Sequence, residues 1–97
     1  MMITLYKPDK SGRMRYYSIS NRQGNLFSPY SFTVTWGVAL SAGRDRQYVF
    51  DSQRELDERL RALVDSRLKA GYKVLYTFFR KEERERLQPL IRKTRAS

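Results

Sequence analysis

The sequence predicts an α+β fold: a small twisted antiparallel sheet of about five strands, one long amphipathic helix across one face, and a basic C-terminal segment. Three observations predict it. Phe32, Val34 and Trp36 alternate with Thr33 and Thr35, the period of a half-buried strand. Leu56, Leu60, Leu63, Val64 and Leu68 fall on one stripe at helical spacing. Short apolar and aromatic runs, divided by Gly, Pro and Asn, recur on both sides of that stripe. One leucine stripe covers one apolar sheet face, so two layers are the economical arrangement, and the other face is left to solvent or to a partner.

The elements follow in order. Ile3 to Tyr6 is a short apolar run stopped by Pro8 and reads as an edge strand. Asp9 to Gly12 is a turn, and Arg13 to Ser20 is a tyrosine-rich strand in which Tyr17 and Ile19 face the core. Asn21 to Asn25 turns again, and Leu26 to Tyr30 leads into the alternating strand Ser31 to Trp36. The stretch Gly37 to Asp45 is an unusually long hairpin connection, and Arg46 to Phe50 is the returning strand. Ser52 with Glu55 matches a capping box for the helix, and Gly71 is its stop. The helix face opposite the leucines carries Glu58, Arg61, Asp65 and Lys69. Tyr72 to Phe79 is a further strand. Arg80 to Gln88 reads as a short helix, and Pro89 cuts it off from a flexible basic tail.

Composition narrows the function. The 97 residues suit one domain. Neither cysteine nor histidine is present, which removes disulfides, thiolate metal sites, and the commonest metal ligand and general base. Five of the ten acids lie on the helix or at its start, spaced for surface ion pairs rather than acid–base chemistry. No phosphate-binding glycine loop appears. The expectation is a protein without enzymatic activity and without a cofactor or metal. The N-terminal residues do not form a signal peptide and no run is long enough to span a membrane, so a cytoplasmic location without membrane contact is expected.

Charge points to a partner. Twenty Lys and Arg against ten Asp and Glu give +10, and such a chain attracts polyanions. The excess sits in two places: residues 1–50 hold seven basic and two acidic residues, and residues 80–97 hold seven and three. Arg13, Arg15, Arg44 and Arg46, with Tyr16 and Trp36 between them, are the candidate nucleic-acid site: guanidinium forks for phosphates, flat rings for a sugar or base. Trp36 serves equally as a packing anchor continuing the Phe32–Val34 face. Arg92, Lys93 and Arg95 would add a salt-sensitive arm or simply solubilise the chain.

Lys7, Asp9, Arg15-Tyr16-Tyr17-Ser18-Ile19, Trp36-Gly37, Gly43, Tyr48-Val49-Phe50 and Lys69-Ala70-Gly71-Tyr72 together resemble the pattern of WGR domains, a family named for a Trp-Gly-Arg tripeptide. The resemblance covers roughly Ile3 to Phe79, which sets a WGR-like unit at 1–79 and a basic segment at 80–97. It implies a small antiparallel sheet with one helix and a binding role; in poly(ADP-ribose) polymerases this domain contacts DNA near a strand end. The tripeptide is incomplete, with Val38 where the motif has Arg, Leu40 at a usual Gly and Arg44 at a usual Gln. The reading is a nucleic-acid binding module, DNA ahead of RNA. The rival is a protein-interaction module that docks a partner, or a second copy in a homodimer, on Tyr76, Phe78 and Phe79.

Overall fold

The structure, a computed structural model, describes residues 1–21 and 28–95, with side chains described as far as Leu90. The expected turn from Arg22 to Asn25, the lead-in residues Leu26 and Phe27, and the side chains of Arg92, Lys93 and Arg95 lie outside the described residues.

Five strands form one sheet: β1 (Met2–Pro8), β2 (Met14–Ser20), β3 (Ser31–Val38), β4 (Arg44–Val49) and β5 (Lys73–Phe78). Their order is β4-β3-β2-β1-β5 and every neighbouring pair is antiparallel. Two helices complete the α+β fold, α1 (Gln53–Lys69) and α2 (Lys81–Arg95).

Three expectations are corrected. β1 is not an edge strand: β5 pairs along its free side. Pro8 misled because it lies beyond Tyr6, the last β1 residue that β5 reaches, outside the part flanked on both sides. The β3–β4 connection is short, since the ladder runs on to Trp36 opposite Arg44 and leaves only residues 39–43 between strands. Gly37 and Gly43 are strand or near-strand positions, kept small because the Tyr16 side chain lies across them. The C-terminal segment is a second helix of 15 residues that runs through Pro89. A proline inside a helix costs about 3 kcal/mol through its lost N–H bond and ring clash. Leu87 and Leu90, buried on either side of it, each contribute about 1.5–3 kcal/mol and offset that cost.

The core lies between the sheet and the two helices. Ile3, Leu5, Tyr17, Ile19, Phe32 and Val34 meet Leu56, Leu60 and Val64 of α1, and Met1, Phe79, Leu87 and Leu90 close the α2 end. Local signals fix α1. The Glu55 N–H donates to Ser52 Oγ at 3.2 Å, and the Glu55 carboxylate accepts from the Asp51 N–H at 3.2 Å. At the other end Gly71, at φ +100°, donates its N–H to Leu68 and Tyr72 donates to Arg67, the paired bonds of a Schellman close. The Lys7 ammonium donates to the Ala70 carbonyl and so ties that end to β1.

Glu83 anchors α2. Its carboxylate is 3.1 Å from the Met1 amino group and accepts bonds from the Arg80 N–H and the Asn21 amide, at 2.9 and 3.0 Å. Burial alone would raise its pKa, but the bonds from Arg80, Asn21 and the amino terminus together hold it below the ordinary carboxylate value. A depressed folded-state value gives stability that is present above the unfolded pKa and lost as pH falls through the folded one. Acid titration of unfolding is therefore expected to show a loss of stability below about pH 4 that Glu83→Gln makes smaller. An identical acid limb in the variant would show that the carboxylate is not held by these groups.

Candidate nucleic-acid interface

Strand register decides which side chains share a face. Ile3, Ile19, Val34 and Arg46 lie in one cross-strand row, and Leu5, Tyr17, Trp36 and Arg44 in the next. Both rows face the helices, since Ile3, Leu5, Tyr17, Ile19 and Val34 are core residues. Arg15, opposite Val38, belongs to the same face one row farther out.

Of the six sequence candidates, four are therefore brought together. Arg15, Trp36, Arg44 and Arg46 line the helix side of the sheet toward the β4 edge. Trp36 is partly buried and packs against the core rim, while the three arginines are exposed. The other two stand apart. Tyr16 points to the opposite face, its hydroxyl beside the α-carbon of Gly43. Arg13 precedes β2 in the turn closed by Asp9: its N–H donates to the Asp9 carboxylate at 2.9 Å and its side chain lies 3.8 Å from it. The Ser11 hydroxyl, with the N–H groups of Arg13 and Ser11, outweighs desolvation and lowers the Asp9 pKa, so Arg13 faces a stable anion.

The sequence reading missed two cations on α1. Arg59 lies over the Tyr48 ring at 5.5 Å, and Arg46 lies over the same ring at 5.1 Å. Arg67 lies over Tyr17 at 4.5 Å and Tyr72 at 5.8 Å. Burial pushes the Tyr17 phenol up, against the opposing charge of Arg67, so the ring stays neutral under its cation. Arg59, Leu63 and Arg67 follow each other at four-residue steps along α1, and that spacing was the available signal.

Five arginines from three elements thus lie on the helix side of the sheet: Arg15, Arg44, Arg46, Arg59 and Arg67. None forms an ion pair with a described carboxylate. Two of the α1 carboxylates are turned elsewhere, Glu58 to Arg54 at 3.1 Å and Asp57 to Arg86 at 3.0 Å. The arrangement is a strip of guanidinium groups in which Arg46 and Arg59 rest on Tyr48 and Arg67 on Tyr17 and Tyr72, with Trp36 on β3 opposite Tyr17. Such a strip holds oxyanions in series and offers ring surface beside them.

Among the described residues no helix lies on the opposite sheet face. Thr4, Ser18, Thr33 and Thr35 occupy its middle, and the hydroxyls of Thr4 and Ser18 bond at 3.1 Å. Tyr76 and Phe78, about half exposed, stand at its β5 edge. Phe79, expected beside them, is instead buried in the core. Among the described residues no cluster of acidic side chains could hold a metal ion, and no helix is long and apolar enough to cross a membrane. No family model, no curated protein and no solved structure matches the chain.

Proposed function

We propose that this protein is a non-catalytic, cytoplasmic nucleic-acid binding module, with DNA as its ligand ahead of RNA. The observation that carries the reading is the Arg46–Tyr48–Arg59 group. Two cations from different elements share one ring, and neither is ion-paired with a described carboxylate. A phosphate is the ligand such a pair fits, because each guanidinium presents a planar fork to two oxygens. Arg15, Arg44 and Arg67 extend the strip, and Trp36 supplies a flat surface within it.

The resemblance to WGR domains supports a binding role. Leu40, which stands at a usual glycine of that pattern, adopts φ 70°, the left-handed region that glycine favours. The unmatched motif position, Val38, lies opposite Arg15, so a cation stands in the neighbouring strand.

Titration of a labelled duplex at 50 and 200 mM salt tests the proposal. Five phosphate contacts give a salt slope of about −4.5, so affinity is expected to fall about 500-fold over that interval. Binding that ignores salt, or no binding at 50 mM, would overturn it.

A further inference from the structure

We infer that the helix-free sheet face is a self-association surface, taking a second copy of this chain as its partner. The proposal is independent of nucleic-acid binding, which engages the other side of the sheet. It begins with charge. The chain carries +10, yet this face shows only two charged side chains along its strands, Asp45 on β4 and Lys73 on β5. A face that is neutral within a strongly basic protein is where two identical copies can approach without repulsion.

The two charges are also placed for self-complementarity. They sit on the two outermost strands, on either side of the middle strand β2. Asp45 falls in the row of Thr35, Ser18, Thr4 and Tyr76, and Lys73 stands in the next row, opposite Tyr6. A two-fold axis along β2 exchanges β4 with β5 and sets Asp45 of one copy opposite Tyr76 of the other. Lys73 is then one row away, about 7 Å, within the reach of a lysine side chain. Symmetry makes that contact twice.

The same axis turns the exposed rings of Tyr76 and Phe78 toward the β4 side of the second copy. Tyr16, laid across Gly37 and Gly43, keeps the middle of the face low. Five strands at about 4.8 Å and seven residues at about 3.3 Å make a face of about 550 Å². Two such faces bury about 1,100 Å², just above the roughly 1,000 Å² that a specific interface needs, which places the dimer in the weak class.

Sedimentation equilibrium of the nucleic-acid-free protein tests this. The wild-type chain is expected to pass from monomer to dimer between about 10 and 500 μM. Asp45→Lys and Lys73→Glu, both at exposed positions, are each expected to weaken the dimer about tenfold or more, and the double exchange to restore it. Circular dichroism confirms that each variant is folded. A wild-type chain that stays monomeric throughout, or a dimer indifferent to both single exchanges, would overturn the proposal. So would a double variant that fails to recover. Each of these outcomes leaves the duplex titration standing on its own result.

Discussion

Exchanging Arg46, Arg59 and Arg67 together for alanine is expected to lower duplex affinity about 100-fold or more at 0.1 M salt, and to flatten the salt slope by about 3. On the proposed function every arginine in the strip would neutralise one phosphate and displace about one counterion, so its removal would take both effects away. The decisive comparison is a second triple variant, Arg54, Arg61 and Arg84 to alanine, which loses the same formal charge from exposed positions elsewhere. Its affinity is expected to fall far less. If both variants bind equally weakly, net charge governs binding and the strip beside α1 has no special part in it. Arg67 also covers Tyr17, so thermal unfolding of the first variant is measured alongside.

The largest expected effect on stability comes from Phe32→Ala. Phe32 is the bulkiest fully buried side chain among the described residues, and its ring lies 5.3 Å from both Tyr48 and Phe50. Truncating such a residue costs about 3–5 kcal/mol, against a total stability of about 5–15 kcal/mol for a domain. Chemical denaturation would show it as a lower midpoint with an unchanged slope. A cost under about 1 kcal/mol would mean that the ring does not fill the space it is shown to occupy. The effect reaches the candidate site as well, because Phe32 supports the ring on which Arg46 and Arg59 rest. Phe32→Leu keeps most of the volume and is the variant in which to read binding.

The sequence made legible whatever local chemistry determines. The alternation from Phe32 to Trp36 gave β3, and Ser52, Glu55 and Gly71 gave both ends of α1. What it hid depends on distant partners. Whether β1 lies at an edge is settled by β5, near the far end of the chain. Pro89 is a local stop signal that buried Leu87 and Leu90 override. The candidate site was half legible for the same reason. Tyr16 and Trp36 both suggested ring surface, but only pairing of β2 with β3 puts them on opposite faces. Nothing local shows what Arg59 and Arg67 on α1 rest upon; it is the sheet that places Tyr48 and Tyr17 beneath them.

The central place of β1 also governs the order in which the molecule can be assembled. Strands β1 to β4 are joined in succession, each to its sequence neighbour, so the emerging polypeptide can zip them up during synthesis. The last seam is different. Ile3 must find Thr77, and that closure, the longest of the four strand pairings, carries the greatest loop entropy. Until β5 leaves the ribosome, the flank of β1 that it will occupy stays open, a template for any other extended segment nearby. β1, translated before the other four strands, is among the last to be completed.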